Sequence, residues 1–280
     1  MSKESINSVT GTPGTNVEAV NSFAGKWALI TGASSGLGLE FADLLAARKV
    51  NLVLVARRQE PMEKLASDLR RKYGVDVLVD AIDLASPGAA SRLKSSLDAR
   101  SVTIDVLLNN AGYGLQGDFL ETPIERTLNM IQLNMTTLTE LTYLFGHDMA
   151  MRRSGYILLV ASVLAFQAVP GYAAYAATKA YVLALGEALH DEFRPRGVVV
   201  TTLSPGHTAT GFDAEAGATP SPFLRLITMK PRPVAASGIR ALLQGKAMVV
   251  AGLSNKMATF SNRVTPRSMQ RATMRKIMGS

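Results

Sequence analysis

The sequence predicts an α/β fold, a single domain built on one doubly wound parallel sheet of seven strands with helices on both faces. Three observations predict it. Seven short apolar runs, six of them rich in Val, Leu or Ile, are too short for helices and read as buried strands. Segments with helical spacing and helix-start residues lie between them. The alternation is unbroken, and strands joined through helices become parallel neighbours covered on both faces. At 280 residues and 47% hydrophobic content, the chain has enough material for a sizeable core.

Residues 1–24 are rich in Ser, Thr, Asn and Gly with few apolar positions, and read as a flexible N-terminal extension. The domain proper is expected over residues 25–252. Its first strand, WALIT at 27–31, runs into a glycine turn and a helix near 37–49. NLVLVA at 51–56 and VDVLVDAI at 75–82 follow, separated by a helix near 61–73. Ser86-Pro87 places a proline at the first position of a helix over 87–99, before IDVLLN at 104–109. Thr122-Pro123 does the same for a long helix over 123–152, and Glu125 completes a capping box with Thr122. YILLVAS at 156–162, a helix over 173–194 and VVVTTL at 198–203 come next. A Pro-rich loop, 205–233, is longer than an ordinary connection and reads as a substrate-binding lid. A helix over 233–244 and AMVVAG at 247–252 close the sheet.

Composition excludes several classes of function. There is no cysteine, so disulfides, thiol nucleophiles and Cys-ligated metal sites are ruled out. His147, His190 and His207 are the only histidines, no two stand at metal-ligand spacing, and no metal site is expected. The longest apolar run, 157–166, is about half of what a bilayer requires, and the N-terminus lacks the apolar core of a secretory signal. A cytoplasmic protein is therefore expected. The net charge of +8 is unevenly spread. The first 215 residues hold 19 Lys and Arg against 22 Asp and Glu, a net of −3, and no acidic residue follows Glu215. Nucleic acid is not an expected partner, because no reading motif or aromatic platform accompanies the basic residues.

The turn after the first strand reads Thr31-Gly32-Ala33-Ser34-Ser35-Gly36-Leu37-Gly38. A glycine turn between strand and helix lets backbone N–H groups approach a pyrophosphate, and the helix N-terminus adds partial positive charge. The spacing is Gly-x-x-x-Gly-x-Gly, not the Gly-x-Gly-x-x-Gly of the common dinucleotide fingerprint. TGASSGLG at 31–38, NNAG at 109–112, and Tyr175-x-x-x-Lys179 with Ser162 thirteen residues before the tyrosine together resemble the short-chain dehydrogenase/reductase family, in its classical type. Asp83, Asn134 and Pro205-Gly206 with Thr210 fall where further motifs of that family fall. The resemblance covers roughly residues 25–250.

That resemblance implies a Rossmann-type fold and hydride transfer between a nicotinamide cofactor and a small-molecule ketone or secondary alcohol. It implies a catalytic tetrad of Asn134, Ser162, Tyr175 and Lys179, of which Tyr175 and Lys179 would also contact the cofactor, Lys179 at its ribose. Gly32, Ser35, Gly36, Leu37 and Gly38 would cradle the cofactor's pyrophosphate, and Ser34 would offer a hydroxyl to a 2′-phosphate. Asp83 would contact its adenine, unless it only caps its own turn. Asn110, Ala111 and Gly112 would line the cleft, and Pro205, Gly206, Thr208 and Thr210 would lie beside the nicotinamide. His207 reads either as part of the substrate loop or as an ordinary loop histidine. Ala56 stands where NAD-dependent relatives carry an acid, and Arg57 follows it. An arginine there pairs with a 2′-phosphate, so NADP(H) is expected over NAD(H). A homodimer or homotetramer is also implied, with the helices over 123–152 and 173–194 as its seam.

The Tyr–Lys pair has chemical logic. Four residues apart on a helix, the two share a face. Free tyrosine titrates near 10, too high for an efficient acid–base group at neutral pH. An ammonium at about 4 Å with an effective dielectric near 20 attracts the phenolate by roughly 4 kcal/mol, enough to lower that value by up to about three units. Ser162 would donate to the substrate oxygen. The alternative from another class is a non-catalytic NADP(H)-binding regulatory or scaffold protein. A complete tetrad argues against it, because binding alone does not need one.

The C-terminal segment, 253–280, is a basic tail in which arginines at 263, 267, 271 and 275 recur every four residues, interleaved with apolar side chains. It suits peripheral contact with an anionic membrane, packing over the substrate cleft, docking on a second subunit, or plain solvation. The apolar residues of the 205–233 loop, among them Phe212, Phe223, Leu224, Leu226 and Ile227, lean toward a hydrophobic substrate.

Overall fold

The computed structural model describes residues 23–217 and 222–278. The extension expected over residues 1–24 lies outside these, apart from Phe23 and Ala24. Phe23 is fully buried, its ring edge-on to Tyr156 at 4.7 Å, so it belongs to the core although the sequence places it in the extension.

The elements run β1 (Trp27–Thr31), α1 (Gly36–Ala46), β2 (Asn51–Ala56), α2 (Gln59–Tyr73), β3 (Val77–Ala81), α3 (Ala89–Ala99) and β4 (Ile104–Asn109). Next come α4 (Ile124–Ile131), α5 (Leu138–Met151), β5 (Gly155–Val160), α6 (Ala173–Phe193) and β6 (Val198–Ser204). The last are α7 (Phe212–Ala216), α8 (Pro222–Leu226), α9 (Pro231–Leu243), β7 (Met248–Val250), α10 (Leu253–Ser261) and α11 (Arg267–Met278). Among the described residues the strands form one sheet in the order β3-β2-β1-β4-β5-β6-β7, every pair parallel. This is the Rossmann-type doubly wound sheet. Its strand order reverses between β1 and β4, which opens a crevice at the carboxyl edge.

Side-chain alternation along the strands feeds two cores. Ala28, Ile30, Leu52 and Leu54 pack on one face against α1, α2 and α9. Leu29, Val53, Leu107, Ile157 and Leu159 pack on the other against α3, α5 and α6. Each fully buried aliphatic side chain contributes about 1.5–3 kcal/mol, which is why the apolar runs are confined to the strands. Helix α6 lies especially close to the sheet. A Cβ on Gly186 would sit 1.9 Å from Thr202 Oγ1, and only a glycine admits that approach.

Several local expectations are corrected. The helix expected from Pro87 starts at Ala89, because Gly88 adopts φ +70°, outside the helical range. No capping box forms at Thr122. Pro123 occupies the cap and has no N–H for Glu125 to bind, while Thr122 Oγ1 donates to the Asp118 carbonyl at 2.8 Å. The helix expected over 123–152 is α4 and α5 joined by a π turn, Gln132–Thr137. Strand β5 ends at Val160, and Ser162 caps the short 3₁₀ turn Val163–Phe166 that follows. The Pro-rich loop contains α7 and α8 and pairs with itself through a Thr208–Met229 bridge, and its last prolines open α9. Phe223 lies among residues whose side chains are not described. The basic tail folds into α10 and α11, which cover the carboxyl edge of the sheet.

Candidate active site

A cavity of about 960 Å³ occupies the carboxyl edge, at the upper end of the range for small-molecule sites. The glycine turn lines one end of it. Ser162, Tyr175 and Lys179 line the middle, and Phe212, Leu224, Ile227 and the two C-terminal helices close the far end.

The glycine turn is built by backbone crowding. Gly32 and Gly36 take φ of +69° and +56°, which side-chain-bearing residues rarely adopt. A Cβ on Gly38 would stand 2.1 Å from the Gly32 carbonyl oxygen, so the first turn of α1 folds directly onto the end of β1. Ser35 makes no side-chain cap, and no acidic residue stands in the first turn of α1. The amides of a helix N-terminus thus face the cavity with no carboxylate to repel an anion, and the site fits a dinucleotide pyrophosphate. Gly32, Ser34, Ser35, Gly36 and Leu37 line the cavity, whereas Gly38 supports the turn from behind.

Arg57 and Arg58 follow β2 on the cavity wall, and Arg58 Nη2 lies 3.4 Å from Ser34 Oγ. Arg58 was not singled out from the sequence, yet it shares this corner with Ser34. Asp83 does two things: it lines the cavity, and its Oδ1 accepts the Ala85 amide at 3.1 Å. Asn110 joins β1 to β4 by donating to the Thr31 carbonyl at 2.9 Å, and its neighbours Ala111 and Gly112 reach the cavity. Pro205, Gly206, Thr208 and Thr210 line the wall as well. Thr208 Oγ1 is turned to the Gly206 carbonyl at 2.8 Å, while Thr210 stands against Gly36, whose Cβ would meet it at 3.0 Å.

Tyr175, Lys179 and Ser162 are buried side by side. Lys179 Nζ donates to the Val160 carbonyl at 2.8 Å and lies 5.8 Å from the centre of the Tyr175 ring. Asn134 is fully buried behind the cavity, in the π turn. Its Oδ1 accepts the Tyr113 amide at 3.2 Å, and its Nδ2 donates to the Tyr113 carbonyl at 2.9 Å and to Thr178 Oγ1 at 3.1 Å. A Cβ on Gly112 would touch Asn134 Oδ1 at 2.9 Å and Lys179 Nζ at 3.4 Å, so both groups converge on one backbone position.

Electrostatics here differ from the expectation of a lowered tyrosine. Burial pushes the Tyr175 phenol well above its ordinary value, and its hydrogen bond with Ser162 only partly opposes this. Burial also lowers the Lys179 ammonium to about 8. Desolvation dominates both shifts, and the nearest hydrogen-bond partner of Nζ is the Val160 carbonyl. This lysine has a consequence for stability. An unfolded lysine titrates near 10.4, so between about pH 8 and that value the unfolded chain binds more protons and stability rises with pH. The burial penalty is fully present below about pH 8 and relieved above about pH 10. The unfolding free energy of the wild type relative to Lys179→Met should climb by about 3 kcal/mol across that window. Denaturant titrations at stepped pH measure it, and a flat difference would refute the shift.

Two readings that the sequence left open gain their detail from the structure. Met274 and Ile277 of α11 line the cavity, and Met274 packs in one cluster with Leu115, Met130, Val169, Tyr172 and Tyr175. His207 ties the Pro-rich loop together, with Nδ1 2.7 Å from Thr228 Oγ1 and Nε2 3.1 Å from Asp213 Oδ1. Tyr172, a rival to Tyr175 by position, donates to Gln116 Oε1 at 3.2 Å, and burial together with the Asp213 charge pushes its phenol up to about 12.

The model of the short chain dehydrogenases matches residues 26–221. The chain is 32% identical over 195 residues to a very-long-chain 3-oxoacyl-CoA reductase of Bos taurus, covering 68% of this chain and 62% of that protein. It is 33% identical over 189 residues to the 17-beta-hydroxysteroid dehydrogenase type 3 of Homo sapiens, covering 66% and 60%. It thus spans about 60% of the length of these curated relatives. Among solved structures, a short-chain dehydrogenase from Sphingobium yanoikuyae in complex with NADPH is 31% identical with a TM-score of 0.76, over 85% of this chain and 93% of that one. A structure described for 7beta-hydroxysteroid dehydrogenase stereoselectivity is 26% identical with a TM-score of 0.82, over 91% and 98%.

Proposed function

The chain belongs to the short chain dehydrogenase family, and from that premise we propose that it is an NADP(H)-dependent oxidoreductase acting on a lipophilic ketone or secondary alcohol. One observation carries the reading: the anion-ready glycine turn and the buried Ser162–Tyr175–Lys179 group open into the same cavity.

The nicotinamide, when bound, supplies or accepts the hydride. The chain's own residues do the rest. Tyr175, protonated at neutral pH like any phenol, donates its proton to the carbonyl oxygen. Ser162 presents a hydroxyl to the same oxygen. Lys179 steadies the phenolate that forms, and Asn134, sharing the Gly112 position with it, anchors the route by which the proton is replaced. The apolar far wall and the relatives named for 3-oxoacyl-CoA and steroid substrates support a 3-oxoacyl chain or a steroid-like ketone as substrate. Apolar residues exposed on α4 and α5, including Leu128, Tyr143 and Met151, support a self-associating form.

Arg57, Arg58 and Ser34 support NADP(H) over NAD(H), since a guanidinium beside a hydroxyl suits a 2′-phosphate. A charge-assisted hydrogen bond to phosphate is worth about 2 kcal/mol, or roughly thirtyfold in affinity. Replacing Arg57 and Arg58 by alanine should weaken NADPH by about that factor while leaving NADH unchanged, as read from nicotinamide fluorescence. Hydride transfer from NADPH to a panel of lipophilic ketones then tests the reaction. Equal affinity for the two cofactors would overturn the cofactor assignment, and binding without turnover on any ketone would favour a regulatory role.

A further inference from the structure

The C-terminal helices have an inner and an outer face, and the cavity uses only the inner one. Asn255, Thr259 and Asn262 of the α10 region look into the cavity. On the opposite side Leu253, Met257 and Phe260 recur at intervals of four and three residues, so they form one stripe, and Val264 follows in the turn after the helix. They are 75%, 67%, 64% and 77% exposed, far more than an isolated surface apolar residue requires. Lys256 and Arg263 flank the stripe, and Arg267, Arg271 and Arg275 continue along α11, all exposed. No acidic residue occurs anywhere after Glu215 to balance them. Among the described residues no helix is long and apolar enough to cross a membrane.

We propose that the outer face of α10, with the arginine row of α11, docks the molecule on an anionic lipid bilayer. The charge pattern selects this occupant. A second copy of the chain would bring the same uncompensated positive charge to the contact, whereas anionic headgroups neutralise it while the apolar stripe enters the headgroup–acyl boundary. Docking in this orientation sets the rim of the cavity against the lipid, giving an apolar ketone a path that avoids water. That last consequence rests on the proposed oxidoreductase reading, whereas the docking does not.

The test is flotation with vesicles of phosphatidylcholine, alone or with about one third phosphatidylglycerol. Wild-type protein should float with the anionic vesicles and leave them at high salt. Leu253→Ser with Met257→Ser and Phe260→Ser should abolish binding, and Arg271→Gln with Arg275→Gln should weaken it about thirtyfold. Circular dichroism and melting check that each variant folds. Phe260→Trp gives a second readout that needs no destabilising change: brominated lipid should quench the new fluorophore and spare Trp27, which lies at the opposite edge of the sheet. Failure to float, unchanged flotation of the triple serine variant, or absence of quenching would each overturn the proposal. So would a lipid-independent dimer in sedimentation that the serine variant dissociates, which would assign the face to a second copy.

Discussion

Tyr175→Phe should lower turnover of a ketone with NADPH by about 10³-fold, the scale of a lost general acid. The substitution removes one oxygen and leaves the ring, which packs 5.3 Å from Phe212 and 6.2 Å from Tyr172 between ring centres. NADPH affinity should therefore stay within about twofold of wild type, because the ring is kept and the glycine turn and Arg57 are untouched. Steady-state kinetics and a fluorescence titration separate the two effects. Tyr172→Phe is the matched control, since its phenol is held by Gln116 and raised to about 12, and it should cost far less. Near-normal turnover in Tyr175→Phe, or a larger loss in Tyr172→Phe, would reject Tyr175 as the proton donor.

Gly38→Ala should impair both cofactor binding and stability. The added methyl would sit 2.1 Å from the Gly32 carbonyl oxygen and 2.8 Å from its carbon, so backbone and not a flexible side chain must move. Over-packing of this kind costs about 1–3 kcal/mol or more. Here the strain is released by opening the turn whose amides face the cavity, so NADPH affinity should fall by about a hundredfold along with the melting temperature. Gly25→Ala is the control. Its φ is positive, +75°, which that of Gly38 is not, but an added methyl there meets nothing within 4 Å, so it should cost only the backbone term of about 1 kcal/mol and leave NADPH binding intact. Wild-type NADPH binding by Gly38→Ala would show that the close approach of α1 to β1 is dispensable.

What was legible depended on the range of the forces involved. β1, β2 and β4 were readable to the residue, because a strand buried on both faces is apolar through most of its length. Ends decided by backbone geometry were less so. Gly88 with its positive φ displaced the start of α3, and Pro123 as cap removed the box expected at Thr122. The π turn that carries Asn134 has no pattern of its own, since its hydrogen-bond shift leaves the apolar spacing of the flanking helices almost unchanged. The sign of the Tyr175 shift was misjudged for a related reason. Sequence places Lys179 one turn away, but only packing holds its Nζ on the Val160 carbonyl and removes both groups from water.

Sequence by itself determined the fold class and the position of the glycine turn, and through the family resemblance it named the candidate tetrad. The first two follow from short-range periodicity and from residue types whose backbone properties are intrinsic. Tertiary structure alone decided that Met274, more than a hundred residues from Tyr113, completes the wall of the same cavity. It also decided that His207 clasps Asp213 to Thr228, that Arg58 reaches Ser34, and that the basic tail turns one face inward and leaves an apolar stripe outside. Such contacts join residues that are distant in the chain. They carry no local signature, because a methionine or an arginine reads the same in sequence whether it faces a cavity, a neighbour or solvent.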